Sequence, residues 1–170
     1  GTFLKAVYSE IKAVNPNAKL MVGGLLLDCN PNIGLVNNNE PAFCTPARFL
    51  EGILENGAKD AFDGVAFHAY DYYQIDSYGE GYGNPNWASS WDTTGPVTLV
   101  KAKYVRDLLN QYGAYNKFLM NTELAILCGG SDDGTCRDLL RPSKVKIYYP
   151  VYAFISSIAD GYTAAIWYSS

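Results

Sequence analysis

The sequence has one histidine, four cysteines and no cluster of basic residues, and each scarcity excludes a class of function. Phosphate binding needs concentrated lysine and arginine, so the net charge of −4 argues against nucleic acids and anionic membranes as partners. A single histidine and two separated pairs of cysteines do not match the ligand spacing of a zinc site, and we expect no metal and no cofactor. No apolar run approaches the roughly 20 residues that a membrane-spanning helix needs.

Two common enzyme motifs are missing as well. The chain has no Gly-x-Ser-x-Gly sequence, and its lone histidine leaves an esterase with one candidate base. The glycines near residue 80 and at Gly129-Gly130 do not lie between a strand and a helix, as a phosphate-binding loop does. An esterase and a nucleotide-binding enzyme are therefore disfavoured.

Aromatic residues, in contrast, make up 14% of the chain, with 14 tyrosines and 3 tryptophans. Such side chains combine an apolar face with a polar group, which suits stacking on sugars. Many of them lie in the stretch 71–95, whose lack of periodicity predicts a long loop, and long loops are usually functional or disordered. One possible function is therefore a non-catalytic carbohydrate-binding module that uses the aromatic loop, Tyr72 to Trp91, as a stacking surface. A structural or interaction protein is the remaining alternative.

The four cysteines form two pairs that are close in sequence, Cys29 with Cys44 and Cys128 with Cys136. Both pairs lie in stretches predicted to be loops that follow strands. Two disulfides of this kind would fit an oxidising, extracellular compartment. Four unrelated reduced thiols are the alternative.

Hydrophobic periodicity predicts alternating strands and helices. Apolar residues at spacings of three and four predict helices over residues 2–14, 45–57, 96–112 and 144–159. Short apolar runs predict strands over residues 19–27, 60–70, 117–126 and 162–169. The polar stretch 28–45 is predicted to be a loop. Alternation of this kind predicts an α/β fold with a parallel sheet and right-handed crossovers.

Polar and aromatic side chains lie near the ends of three of these strands. His68 and Tyr70 end the second strand, Glu123 lies in the third, and Trp167 lies in the last. Because the carboxyl ends of parallel strands gather at one edge of a sheet, we expect these four side chains to form one site.

In these motifs the chain resembles the carboxyl-terminal half of a retaining (β/α)8-barrel glycoside hydrolase. The clan in question includes cellulases, mannanases and β-xylosidases, and the phrases NPNAKLMVGG and FDGVAFHAY look like its strands five and six. In that clan strand six commonly ends in a His-x-Tyr pair, strand seven ends in the nucleophilic glutamate, and strand eight carries a tryptophan that forms a sugar platform. The resemblance implies that Glu123 is the nucleophile, and that His68, Tyr70 and Trp167 bind the substrate.

The resemblance also implies that part of the barrel is missing. The expected fold is four parallel βα units, strands five to eight of a TIM barrel, so residues 1–170 form a partial catalytic domain without strands one to four. The substrate would be an oligo- or polysaccharide, cleaved at β-glycosidic bonds by double displacement. Sugar identity and endo or exo action are left open.

The motif Asn39-Glu40-Pro41 looks like the acid/base motif that ends strand four in the clan. Three strands should follow that motif, the last carrying the nucleophile, but only two are predicted between Glu40 and Glu123. Glu40 is therefore expected in the loop after strand five, and the acid/base glutamate outside this chain. We expect a fragment with little or no activity of its own, which another chain or a second copy completes.

Overall fold

The computed structural model describes residues 1–31, 35–37, 40–42, 44, 48–73, 87–88, 91, 96–128 and 144–168. Within these ranges the helices are α1 (Thr2–Val14), α2 (Phe49–Glu55), α3 (Val97–Gln111) and α4 (Lys144–Ala159). The strands in the same ranges are β1 (Met21–Leu25), β2 (Leu35–Asn37), β3 (Glu40–Ala42), β4 (Gly64–Tyr73), β5 (Trp87–Ala88), β6 (Phe118–Cys128) and β7 (Ala164–Trp167). No helix in the described part of the chain is long and apolar enough to cross a membrane.

The principal sheet contains β1, β4, β6 and β7 side by side, in that order and all parallel. Between β1 and β4 the chain forms α2, between β4 and β6 it forms α3, and between β6 and β7 it forms α4. Strands that follow one another in this βα series are therefore neighbours in the sheet. The predicted α/β fold of four parallel βα units is confirmed.

The element boundaries differ from the predicted ones mainly at the carboxyl ends of the strands. Strands β4 and β6 extend beyond residues 70 and 126, and the short β5 pairs antiparallel with the end of β4. The stretch 28–45, predicted to be a loop, contains an antiparallel hairpin of β2 and β3, in which Asn37 pairs with Glu40. Strands of three residues are too short to show a period of two, so the sequence pattern did not predict this hairpin. Glu40 thus lies outside the principal sheet.

One hydrophobic core lies between the helices and one face of the sheet. In β4, Val65, Phe67 and Ala69 are buried in this core, and Phe67 makes an edge-to-face contact with Tyr162. We call this side of the sheet the helix face. Successive residues of a strand point to opposite sides, so His68 and Tyr70 lie on the other side, which we call the open face.

Helix α4 carries a row of exposed apolar side chains at spacings of three and four. The row consists of Ile147, Val151, Ile155 and Ile158. Among the described strands, none pairs with the outer edge of β1 or of β7. Uncovered edges and apolar faces of this kind are normally covered by other parts of a protein.

Cys29 and Cys44 form a disulfide, with Cα atoms 5.8 Å apart, as the sequence predicts. The bond links the segment that follows β1 to the one that follows β3. The predicted pairing of Cys128 with Cys136 falls outside the described residues.

Candidate active site

Glu123, Tyr70 and His68 meet on the open face, partway along β4 and β6 and level with the carboxyl ends of the shorter strands β1 and β7. The Tyr70 hydroxyl donates a hydrogen bond to Glu123 Oε2. His68 Nδ1 lies 3.3 Å from the same oxygen. The side chains of His68 and Glu123 are 19% and 32% exposed, so the carboxylate is held in place and still reaches solvent. Neither of these contacts involves Oε1.

A β-bulge in β6 determines which way Glu123 points. Phe67 pairs with Asn121 and His68 pairs with Glu123, so β6 has one more residue than β4 at this point, Thr122. A similar shift separates β6 from β7 between Asn121 and Leu124. Without the extra residue, Glu123 would share the helix face with Asn121, because residues two apart in a strand point to the same side. The bulge therefore brings Glu123 to the side of His68 and Tyr70.

The His68 ring lies against the backbone of β1 at Gly24. A Cβ atom at this position would lie 2.1 Å from His68 Nε2 and 2.7 Å from Cε1. Such distances are far below van der Waals contact, so any side chain here would displace the imidazole or the strand. The absence of a side chain at Gly24 thus leaves room for the ring beside Glu123.

Lys101 of α3 connects β1 and β4 from the helix face. Its Nζ donates to the backbone oxygen of His68 at 2.9 Å and to that of Leu26 at 3.2 Å. Burial lowers the pKa of Lys101 to about 8, although the negative charges of Asp71 and Asp28 oppose this effect. The contact fixes the backbone of His68 relative to the end of β1.

Asp71 is fully buried on the helix face, one residue beyond Tyr70. Its Oδ2 accepts hydrogen bonds from Val97 N at 2.9 Å and from the Tyr149 hydroxyl at 2.5 Å. Burial raises the pKa of Asp71 to about 6, despite these bonds and the charge of Lys101. Because it faces the helices, Asp71 is separated by the sheet from Glu123.

Trp167, the fourth predicted site residue, does not join this cluster. It pairs with Leu124, which lies on the helix face, and its ring centroid is 6.3 Å from that of Tyr149 in α4. The next residue, Tyr168, makes an edge-to-face contact with Tyr70 at 6.1 Å between ring centroids. In this structure Tyr168 is the aromatic residue beside the open-face cluster, and the sugar platform assigned to Trp167 stays a prediction. Strand alternation alone could have indicated that neighbouring residues 167 and 168 face opposite sides.

The aromatic loop is described only in part. Trp91 is buried, donates from Nε1 to the backbone oxygen of Leu27 at 2.6 Å, and contacts the Tyr104 ring. It therefore contributes to the core, whereas residues 74–86 of the predicted stacking surface lie outside the described residues.

Among the described residues, one cluster of potential metal ligands is found, formed by Asp28, Cys29 and Cys44. Both sulfurs belong to the disulfide, so neither is a thiolate that could bind a metal.

The arrangement around Glu123 provides a carboxylate whose Oε2 is held by two neighbours and whose Oε1 takes part in neither contact. Such a group can act as a nucleophile or as a base towards a ligand that approaches the open face. Comparisons with protein families, with curated proteins and with solved structures find no match for this chain.

Proposed function

We propose that this chain is the nucleophile-bearing part of a retaining glycoside hydrolase that cleaves β-glycosidic bonds of oligo- or polysaccharides. The observation that supports this best is the convergence of Tyr70 and His68 on Oε2 of a partly exposed carboxylate, level with the carboxyl ends of β1 and β7 in the parallel sheet. A retaining glycosidase needs such a carboxylate, fixed in orientation, to attack the sugar and form a covalent intermediate.

In the first step, Glu123 Oε1 attacks the anomeric carbon, and the bond from this carbon to the leaving oxygen breaks. The leaving oxygen takes the electron pair and a proton from a general acid. In the second step, a water molecule loses a proton to the same group and attacks the anomeric carbon, which releases Glu123 as a carboxylate. The hydrogen bond from Tyr70 and the contact with His68 keep Oε2 in place, so that Oε1 faces the sugar.

We assign the acid/base carboxyl group to a part of the enzyme outside this chain. A retaining enzyme places it about 5–5.5 Å from the nucleophile. Asp71, which follows Tyr70 in β4, is on the helix face and cannot serve. Glu40, the residue of the motif that resembles the acid/base, belongs to a separate hairpin.

Further features support the proposal that this chain is half of a barrel, strands five to eight, which another chain or a second copy completes. The apolar row of α4 is exposed, and the outer edges of β1 and β7 are unpaired among the described strands. A further βα segment on either side would cover such surfaces. The disulfide between Cys29 and Cys44 supports an extracellular location.

The test is covalent trapping with a panel of dinitrophenyl 2-deoxy-2-fluoro-β-glycosides, followed by intact mass measurement and peptide mapping. Dinitrophenolate leaves without protonation, so labelling requires the nucleophile and not the acid/base. We expect a mass increase on the Glu123 peptide, and the probe that reacts identifies the sugar.

Two variants make the assignment specific. Glu123→Gln should abolish the label, whereas the same change at the exposed Glu55 should leave it intact. Label on another residue, or no label with any probe, would contradict the proposed role of Glu123. The carbohydrate-binding alternative instead predicts sugar binding that survives Glu123→Gln without any labelling, and the burial of Trp91 gives it no support.

A further inference from the structure

We infer that Asn121 is a positioning residue, whose side chain holds the bulge of β6 in the form that turns Glu123 onto the open face. The inference rests on the proposed function of Glu123. Asn121 itself lies on the helix face and would touch no substrate.

The carboxamide of Asn121 is fully buried and uses both of its ends. Its Oδ1 accepts a hydrogen bond from the backbone N–H of Glu123 at 3.2 Å. Its Nδ2 donates to Thr98 Oγ1 in α3 at 2.9 Å. A bulge interrupts the regular pairing of a strand, and here the Asn121 side chain supplies the acceptor for the N–H that follows the extra residue.

Thr98 is a fixed anchor for this carboxamide. It is buried in the first turn of α3, and its Oγ1 lies 3.1 Å from the Tyr162 hydroxyl oxygen. The Tyr162 hydroxyl donates to the backbone oxygen of Thr98 at 2.7 Å, so the Thr98 hydroxyl donates in return to Tyr162. Thr98 Oγ1 is then available as the acceptor for Asn121. Burial raises the pKa of Tyr162, so its hydroxyl remains a donor at neutral pH.

The chemistry of the two contacts requires an amide. Aspartate could accept from the Glu123 N–H but could not donate to Thr98 when ionised, and leucine could do neither. If β6 paired regularly, Glu123 would lie on the helix face, and burying an unpaired carboxylate there would be strongly unfavourable. Asn121 therefore links the backbone of the candidate nucleophile to α3, and through Thr98 of α3 to Tyr162, which lies between α4 and β7.

The single histidine of the chain makes this testable without any activity. The ¹⁵N chemical shift of His68 Nδ1 should change when Glu123 is replaced by glutamine, because these groups are 3.3 Å apart. The size of this change, measured at fixed pH, reports whether Glu123 faces His68. The same Glu123→Gln comparison is then made in the Asn121→Ala, Thr98→Val and Thr98→Ser backgrounds.

We expect the ¹⁵N shift difference of His68 Nδ1 caused by Glu123→Gln to fall to less than half of its size in the otherwise unmodified protein when Asn121→Ala or Thr98→Val is present. Thr98→Ser keeps the hydroxyl acceptor and should retain the full difference. Thr98→Val keeps the β-branched side chain and removes its hydrogen-bonding hydroxyl, so this variant decides the matter if Asn121→Ala does not fold. A full Nδ1 change in folded Thr98→Val would overturn the inference.

The rate of labelling by the reactive 2-fluoro-glycoside gives a second readout. Misplacement of the nucleophile by about 1 Å can slow a reaction by about 100-fold, so we expect a loss of about 10- to 100-fold in Thr98→Val and little change in Thr98→Ser. If the unmodified chain takes no label, the proposed function fails, while the His68 shifts still decide the role of Asn121. If it takes label and Thr98→Val labels at the same rate, the inference fails and the proposed function stands.

Discussion

The buried carboxylate of Asp71 should make the stability of this protein depend on pH in a direction opposite to that of a salt-bridged aspartate. Its pKa is about 6 in the folded protein, compared with an ordinary value of 3.8. Burial is the main cause, and the hydrogen bonds from Tyr149 and Val97 and the charge of Lys101 offset only part of it. The folded protein therefore binds the Asp71 proton more tightly than the unfolded chain does.

The magnitude follows from the difference between the two pKa values. They are about two pH units apart, and each unit corresponds to about 1.4 kcal/mol, so Asp71 contributes about 3 kcal/mol. Because the folded pKa is the higher one, this stabilisation is fully present below about pH 4 and is lost as the pH rises through about 6. An asparagine at this position cannot titrate, and its carbonyl oxygen can still accept from Tyr149 and Val97.

The assay is urea unfolding at intervals from about pH 4 to about pH 7.5, followed by tryptophan fluorescence and applied to the unmodified protein and to Asp71→Asn. We expect the free energy of unfolding of Asp71→Asn, minus that of the unmodified protein, to increase by about 3 kcal/mol as the pH rises across this range, because only the unmodified protein loses stability. The control is Asn110→Ala, a change at an exposed side chain of α3 that carries no charge, for which the difference should stay nearly constant. Parallel curves for Asp71→Asn and the unmodified protein would contradict a raised pKa of Asp71 in the folded protein.

Three other variants test the surroundings of the site. Gly24→Ala places a Cβ atom 2.1 Å from His68 Nε2, so it should destabilise the fold by about 1–3 kcal/mol and shift the NMR resonances of the His68 ring. The control is Gly52→Ala, whose Cβ would have no atom within 4 Å and should leave those resonances unchanged. In the folded protein the pKa of Lys101 is about 8, below its ordinary 10.5. The free energy of unfolding of the unmodified protein should therefore rise by about 3 kcal/mol between pH 8 and pH 10.5. Lys101→Met, which cannot titrate, should lack this rise in urea unfolding. Equal slopes for the two proteins above pH 8 would contradict this. Replacing both Cys29 and Cys44 by serine opens a loop with a sequence separation of 15. The free energy of unfolding should fall by about 3 kcal/mol, seen as a lower midpoint of urea unfolding. A midpoint equal to that of the oxidised protein would contradict the disulfide.

The architecture could be predicted because burial of one side of a helix or strand gives the apolar residues of the sequence a regular spacing. The apolar spacing of α1 and α4 gave their limits, and the unbroken apolar run of β6 predicted a strand, although the helices that the structure describes cover only one of its faces. Alternation of the two kinds of element then predicts parallel pairing. The hairpin of β2 and β3 could not be predicted in this way, because three-residue strands show no period.

The site was predictable in part for a related reason. His68 and Tyr70 are two apart in one strand, so they share a face wherever that strand lies. Their contact with Glu123 depends on the extra residue of β6, and the run Lys117 to Ile126 has no polar alternation that would reveal a bulge. Trp167 was placed from a resemblance between strand ends, whereas its side is determined by the register with Leu124.

Under the proposed function, the position of both contacts on Oε2 bears on the departure of Glu123 as well as on its attack. If Oε1 forms the bond to the sugar, Oε2 becomes the carbonyl oxygen of the ester, still beside the Tyr70 hydroxyl and His68 Nδ1. When water releases the sugar, negative charge returns to that carboxyl group, and the Tyr70 hydroxyl, already in place, stabilises it without rearrangement. A leaving group assisted in this way gives the intermediate a short lifetime. If the proposal holds, Tyr70 would thus limit how long Glu123 stays glycosylated.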